Sequence, residues 1–458
     1  MFRGKVRNVH FVGIGGIGMS GIAEVLVNMG FRVTGSDMRA GASVQRLQSL
    51  GAEVAIGHAP DNVGDADVVV RSTAIGAENV EIASALTRNI PVIPRAEMLA
   101  ELMRMKYGLA VAGSHGKTTT TSMLATILHH AELDPTIVIG GRLDAIGSNA
   151  QLGGGPYLVA EADESDGSFL WLAPTVAVVT NIDPEHLEHY GSFENLIDTF
   201  VDFANKVPFY GYTVLCLDHP VVQAMLPRVR RRVLTYGLSV QADVRASELA
   251  FDGLESTFVV HRGDARLGEI RLAMPGQHNV SNALAAVATA LELDIDFETI
   301  AKGLDGFTGV QRRFTIRGDV QERTLIDDYG HHPVEISATL KAAKQGFHGR
   351  RIVAVFQPHR YSRVSSLLDE FCRCFNEADH VVVCPVYAAG EQPIEGIDTE
   401  NLVHGIRSYG HNSVHGVEDL DGAVEHLTAF SEPGDLIITL GAGDVSRVLD
   451  GCSEAFAG

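Results

Sequence analysis

The residues best equipped for chemistry stand between Gly113 and Thr119, at the end of the run Leu109-Ala110-Val111-Ala112-Gly113-Ser114-His115-Gly116-Lys117-Thr118-Thr119. The small apolar residues read as the end of a buried strand, Gly113 to Gly116 as a tight loop, and Lys117 onward as the first turn of a helix. Loop N–H groups and the positive end of the helix dipole then converge on one point. Lys117 adds a full charge there, and the Thr118 hydroxyl offers a metal ligand. The occupant this chemistry suits is the phosphate tail of ATP. The loop is shorter than G-x-x-x-x-G-K-[ST], which would need Gly at 111, where Val stands. A plain glycine turn with an exposed lysine is the competing reading; the threonines Thr118 to Thr121, poor helix formers, speak against it.

Further polar groups follow apolar runs in the same manner. Tyr157 to Ala160 reads as a strand ending in Glu161-Ala162-Asp163-Glu164-Ser165-Asp166, which can hold magnesium beside a phosphate loop or serve only as an acidic loop. Val176 to Thr180 ends in Asn181-Ile182-Asp183-Pro184-Glu185-His186, where His186 reads equally well as a metal ligand or as a hydrogen-bonded loop histidine. Gly276-Gln277-His278-Asn279 precedes an alanine-rich helix from about Val280 to Leu291, with Asn282 in its first turn. These amides cap the helix or read an adenine edge. Arg312-Arg313-Phe314 is followed by two clusters at strand ends, Asp327-Asp328-Tyr329-Gly330-His331-His332 and Pro358-His359-Arg360-Tyr361-Ser362-Arg363.

A second glycine loop stands near the start. Val9 to Val12 leads into Gly13-Ile14-Gly15-Gly16-Ile17-Gly18 and an amphipathic helix to about Met29, then a strand Phe31 to Thr34, with Asp37 placed 19 positions after the last glycine. This G-x-G-x-x-G fingerprint predicts a dinucleotide, or any nucleotide diphosphate on the helix N-terminus with Asp37 at a ribose hydroxyl. Ser72-Thr73-Ala74-Ile75 stands at the carboxyl end of another strand, Asp67 to Arg71, where ligands sit in such sheets.

Elements that present loops in this way are parallel strands alternating with helices. The fold class is therefore α/β in three domains: a Rossmann-like domain over 1–106, a central P-loop ATPase-like domain with a mostly parallel sheet over 107–311, and a Rossmann-like domain over 312–458. A chain of 458 residues is too long for one core. The formal net charge of −21 argues against nucleic-acid or membrane-surface partners. Phosphate handling then needs local positive charge from Lys117, Arg312, Arg313, Arg360, Arg363 and a bound divalent metal, while Arg228 and Arg230 to Arg232 read as a solvated face. Five scattered cysteines offer neither a disulfide framework nor a metal spacing, which points to a reducing cytoplasm. Arg3, Lys5 and Arg7 before an apolar run imitate a signal peptide, but the glycine density and Glu24 favour a nucleotide loop. No apolar stretch is long enough to span a bilayer.

The order of these segments, with Gly13 to Met19 joined to Ser114-His115-Gly116-Lys117, resembles the Mur ligases over nearly the whole chain, and the short phosphate loop is the form that family uses. The resemblance implies ATP-dependent amide synthesis in peptidoglycan precursor formation. The lactyl carboxylate of UDP-N-acetylmuramate attacks the γ-phosphate, an acyl phosphate forms, and the amine of L-alanine displaces phosphate. It implies Gly113 to Thr119, His278, Asn279, Asn282, Arg313, Asp327 and Asp328 at ATP, with magnesium on Thr118, Glu161 and His186. Gly15, Gly16, Ile17, Gly18, Asp37, Ser72, Thr73, Ala74 and Ser165 would meet the UDP-sugar, and Tyr329, His331, Arg360 and Arg363 the amino acid. Lys117, His186, His359, Arg360 and Arg363 would carry the chemistry. Several relatives bridge a second magnesium through a carbamylated lysine; here no lysine follows His186 before Lys206. A tripeptide-adding recycling ligase, which usually carries Cys where Gly15 stands, is the neighbouring reading. An NAD-dependent oxidoreductase, resting on Gly13 to Gly18 and Asp37, is the reading from another class and leaves Lys117 unexplained. No oligomer is predicted.

Overall fold

Short apolar runs without polar alternation, such as Leu109 to Ala112 and Val176 to Val179, belong to strands buried on both faces. The computed structural model describes residues 5–72, 74–143 and 148–457 and arranges such runs in three sheets. The first contains β1 (Asn8–Val12), β2 (Arg32–Asp37), β3 (Glu53–Ile56), β4 (Val68–Arg71) and β5 (Val92–Pro94), all parallel, in the order β3-β2-β1-β4-β5. Strand order reverses at β1 and β4, which opens a crevice between the glycine loop after β1 and Ser72 after β4. The helix Ile17–Asn28 starts at the end of that loop. Its Met19, Ile22, Ala23 and Leu26 are buried at helical spacing in one core with Phe11 and Val33 of the sheet.

The second sheet is built around β6 (Tyr107–Ala112), with β7 (Thr136–Leu143), β8 (Ser148–Gln151), β9 (Tyr157–Glu161), β10 (Val176–Val179), β11 (Tyr212–Cys216) and β12 (Arg232–Gly237). The order is β12-β11-β10-β6-β9-β7-β8, and β13 (Val244–Asp252), β14 (Glu255–Arg262) and β15 (Ala265–Leu272) continue it beyond β12. Because β6 lies between β9 and β10, the phosphate loop has Glu161 to Asp166 on one side and Thr180 to His186 on the other. The helix Lys117–His130 follows the loop at once.

The third sheet holds β16 (Thr315–Val320), β17 (Arg323–Asp328), β18 (Ile352–Phe356), β19 (His380–Val383), β20 (Val414–Gly416) and β21 (Leu436–Leu440), in the order β16-β17-β21-β18-β19-β20, parallel except for the β16–β17 hairpin. By contact density the chain forms two compact units: 1–247 with 259–270 and 281–307, and 248–258 with 271–280 and 308–458. The first two sheets' glycine loops fall in the first unit and the third sheet in the second. The helix Gln277–Glu292 starts earlier than the sequence suggests, so His278 and Asn279 lie within it rather than before it. Among the described residues no helix is long and apolar enough to cross a membrane.

Candidate active site

The phosphate loop of the first unit leaves β6 and enters its helix through Gly116, whose φ of +80° is a left-handed conformation that favours glycine. A Cβ at Gly116 would also lie 2.4 Å from Asn282 Oδ1. The close approach lets Thr120 Oγ1 donate to the same Asn282 oxygen at 3.3 Å, so Asn282 is fixed beside the loop. Asn181 fastens the other side: its Oδ1 accepts from the His115 N–H at 2.7 Å, and its Nδ2 donates to the His115 carbonyl at 3.0 Å. Thr119 is buried in the helix.

Lys117 is folded back over this loop. Its Nζ donates to the carbonyls of Gly113 at 2.6 Å and Ser114 at 3.1 Å, and to the Glu164 carboxylate at 2.8 Å. Burial opposes the lysine charge, but Glu164, Asp163 and Glu161 together outweigh it and hold the ammonium above its ordinary value. Glu164 is almost fully buried; burial pushes its carboxyl up to about 7 against the pull of Lys117. The direct contact makes the two an ion pair, and Tyr190 pins the segment by donating its hydroxyl to the Glu164 carbonyl.

Hard oxygen donors gather next to the pair. Thr118 Oγ1 donates to Glu161 Oε2 at 2.9 Å, which brings together two of the expected magnesium ligands. His186, at φ +55° before the short helix Leu187–Tyr190, is placed with Glu164 and Glu185: one ligand atom from each lies within 4.8 Å of the others. Burial lowers the His186 ring below its ordinary value and leaves a lone pair available to a cation. Oxygen donors joined by one imidazole fit a divalent cation of the magnesium type. Asp183 lies between two imidazoles, with His115 Nε2 at 3.3 Å and His219 Nε2 at 3.6 Å. Burial raises its carboxyl, but the two imidazoles beside it hold it well below the usual range.

At the N-terminal crevice, Asp37 Oδ2 accepts from the Gly15 N–H at 2.8 Å, so the acidic residue and the glycine loop are joined directly. Gly16 is the N-cap of the helix, and Ile17 and Gly18 form its first turn. Ser72 Oγ accepts from the Ala74 N–H at 3.4 Å; Thr73 lies outside the described residues. A cavity of about 260 Å³ runs from Gly16, Gly18 and Ser72 past Arg95 to Glu161 and Asp163. The Ser165 N–H donates to Asp163 Oδ1 at 3.0 Å and so closes the acidic turn.

The second unit gathers the remaining candidates at the carboxyl ends of β17, β18 and β21. Asp327 is buried and accepts from Arg312 Nε at 3.2 Å and Thr439 Oγ1 at 3.1 Å. Asp328 accepts from the N–H groups of Phe314 at 2.8 Å and Gly330 at 2.7 Å, and burial raises its carboxyl. Both guanidinium groups, Arg312 at 5.1 Å and Arg313 at 5.4 Å, stand over the Tyr329 ring. Tyr329, His331 and His359 form a chain of ring contacts, with His359 stacked on Tyr387. Arg363 Nη1 lies 3.2 Å from His359 Nδ1, and Arg360 turns outward at φ +67°. Burial lowers the rings of His331 and His359 to about 4, so both are neutral imidazoles at neutral pH. Asn279 Nδ2 donates back to the Pro275 carbonyl at 2.8 Å, which uses part of its amide to tie the helix start. His278 is exposed in the first turn of that helix.

Three family models match in succession: the Mur ligase family catalytic domain over 8–107, the Mur ligase middle domain over 111–290, and the Mur ligase glutamate ligase domain over 312–443. The chain belongs to the Mur ligase family. This Mur ligase is 58% identical to the UDP-N-acetylmuramate--L-alanine ligase of Geobacter sp. (strain M21), over 97% of this chain and 96% of the relative. It is 57% identical to the same enzyme of Syntrophotalea carbinolica, over 98% of both. Among solved structures, the UDP-N-acetylmuramate-alanine ligase of Thermotoga maritima aligns with a TM-score of 0.80 at 30% identity, over 98% of this chain and 99% of that one. A murein peptide ligase of Psychrobacter arcticus aligns at 0.71 and 25% identity, over 98% of both.

Two features of this Mur ligase escape its sequence motifs. His219 stands alone in Asp218-His219-Pro220, and only the pairing of β10 with β11 brings it to Asp183. Glu164 is visible as one of several carboxylates, but its selection as the partner of Lys117 depends on β9 lying beside β6.

Proposed function

We propose that the chain joins L-alanine to the lactyl carboxylate of UDP-N-acetylmuramate with hydrolysis of ATP, through an acyl phosphate. One observation carries this reading: relatives with that activity in their names are 55–58% identical over nearly their whole length. The geometry supports it, because the glycine loop joined to Asp37 and the phosphate loop joined to Lys117 are separate anion sites, and a cavity leads from the first of them to Glu161, the partner of Thr118. We take the domains as 1–106, 107–311 and 312–458, which the three family matches support.

A carboxylate that approaches a triphosphate meets like charge. Lys117 and the N–H groups of Gly113 to Thr119 offset it and hold the γ-phosphate in line. Magnesium, when bound, would be held by Thr118, Glu161 and His186, with Glu164 and Glu185 beside the imidazole, and supplies neutralisation of the phosphate oxygens. Asn282, His278 and Asn279 would orient the adenine, Arg313 the phosphates, and Asp327 or Asp328 the ribose. On the sugar side, Gly15 to Gly18 and Asp37 hold the uridine diphosphate, and Ser72, Thr73, Ala74 and Ser165 the remainder. Tyr329, His331, His359, Arg360 and Arg363 would hold the alanine; a guanidinium fork matches its carboxylate. Bringing the reactants together is worth roughly 7–11 kcal/mol by effective molarity. Five free, buried cysteines support a reducing, cytoplasmic setting for these soluble substrates.

The test is phosphate release by purified protein with ATP, magnesium and UDP-N-acetylmuramate, with L-alanine, a muropeptide tripeptide or neither as third substrate. Release that depends on L-alanine is the expected result. Release with the tripeptide alone would reassign the chain to the recycling ligases, and a nicotinamide absorbance change with no phosphate release would overturn the ligase reading.

A further inference from the structure

The first turn of a helix favours acidic side chains, because its N–H groups carry partial positive charge. The helix Arg95–Met103, directly after β5, has Glu97 in its first turn and opens on Arg95, a charge its N-terminus does not favour. The Arg95 side chain is 20% exposed, so its guanidinium is mostly withdrawn from water. That group offers five N–H donors. Among the described residues its partner is the Asp163 carboxylate, at 3.7 Å, beyond hydrogen-bonding distance. The Asp163 side chain is itself 45% exposed, and its Oδ1 is held by the Ser165 N–H.

The guanidinium is also aimed. It packs on Gly18, where a Cβ would lie 2.8 Å from Arg95 Nη1 and 3.0 Å from Cδ. Any side chain at 18 would therefore push it out of the cavity that leads from the first turn of the Ile17–Asn28 helix to Glu161. A guanidinium mostly withdrawn from water, with one loose ion-pair contact and set beside a helix N-terminus, is a receptor for anionic oxygen.

We propose that Arg95 is a substrate-binding residue that receives an anionic oxygen group of the sugar nucleotide, exchanging its loose contact with Asp163 for forked hydrogen bonds. The proposal rests on the placement of UDP-N-acetylmuramate at Gly13 to Gly18. The substrate carries two such groups: the diphosphate, held at the glycine loop where the cavity begins, and the lactyl carboxylate, which the cavity would lead toward Glu161, the partner of Thr118.

Calorimetric titration of the full chain tests it, with wild type, Arg95→Gln, Arg95→Lys and, as a control on the loop, Asp37→Ala. The ligands are UDP-N-acetylmuramate, UDP-N-acetylglucosamine, which lacks the carboxylate, and a non-hydrolysable ATP analogue. Arg95→Gln is expected to weaken UDP-N-acetylmuramate about 10- to 100-fold, with the ATP analogue unchanged and KM for the sugar nucleotide raised more than kcat is lowered. Arg95→Lys recovers part of the loss, since it restores charge without the fork. Loss shared by UDP-N-acetylglucosamine assigns the contact to the diphosphate, and loss confined to UDP-N-acetylmuramate assigns it to the carboxylate. Unaltered affinity in Arg95→Gln with weakened binding in Asp37→Ala overturns the Arg95 assignment alone. Unaltered affinity in both overturns the loop placement as well, and equal weakening of the ATP analogue overturns a specific role for Arg95.

Discussion

Replacing Lys117 by Met separates what this lysine does for the reaction from what it does for the fold. The side chain is 14% exposed and its partner Glu164 only 1%, so the substitution strands a carboxylate in a place water hardly reaches. Breaking a buried pair from one side costs about 3–5 kcal/mol. Protonation sets a ceiling on that cost. Bringing a carboxyl of ordinary value 4.5 to its neutral form at pH 7 takes about 3.4 kcal/mol, at 1.36 kcal/mol per unit. In Lys117→Met the folded protein therefore holds a proton that the unfolded chain releases above pH 4.5. The folded-state value is raised, so the variant's deficit grows with rising pH and shrinks by about 1.4 kcal/mol per unit as pH falls toward 4.5. Glu164→Gln in the same chain removes the stranded charge, and stability should return to within about 1 kcal/mol of wild type, since loss of both partners is far cheaper than loss of one. Turnover should not return: both the single and the double variant lose at least about 10²–10³ in kcat, while UDP-N-acetylmuramate affinity holds. Urea unfolding at several pH values, phosphate release and calorimetry read the three quantities. A Lys117→Met deficit independent of pH, or left uncorrected by Glu164→Gln, would refute the reasoning, and loss of sugar-nucleotide binding along with turnover would contradict separate sites.

Glu161→Gln should raise the magnesium concentration for half-maximal activity about 10- to 100-fold with KM for L-alanine unchanged; an unchanged metal titration would remove Glu161 from the donor set. In Gly116→Ala the left-handed φ and the contact with Asn282 should together cost about 1–3 kcal/mol and weaken ATP, measured by unfolding and by nucleotide titration. Glu81 offers a pH test outside the phosphate loop. Burial would raise its carboxyl, yet bonds from His10, Ser36, Asn62 and the Ala59 N–H bring it to about 2 from 4.5. Its contribution, about 3 kcal/mol, is present above pH 4.5 and lost as pH falls through 2, so the stability gap between wild type and Glu81→Gln should close over that window. Arg363→Lys should raise KM for L-alanine about tenfold or more while KM for ATP stays put, because the lysine keeps charge but not the fork.

Both glycine loops are legible in the sequence because their constraint is local. A strand end, a left-handed glycine and a helix start are contiguous, and Gly13 to Gly18 and Gly113 to Lys117 each spell all three. Alternation of apolar runs with helices likewise announces three α/β sheets, since strands buried on both faces leave no polar positions in the run. The strands from Tyr212 to Leu272 are a different matter. From β13 to β15 they mix buried, half-exposed and exposed positions without a motif, and their existence depends on the neighbour each one pairs with.

Partner choice is what tertiary structure alone decided. Sequence sets near the phosphate loop a segment with four acidic residues, Glu161, Asp163, Glu164 and Asp166, and names no partner for Lys117 among them. The register of β6 against β9 gives Glu161 to Thr118 and Glu164 to Lys117, and leaves Asp163 to the loose contact with Arg95. The residue types along the chain supplied the charges and the loops, because those depend on neighbours in sequence. Which charge meets which is set by strand order, and strand order is a property of the whole sheet.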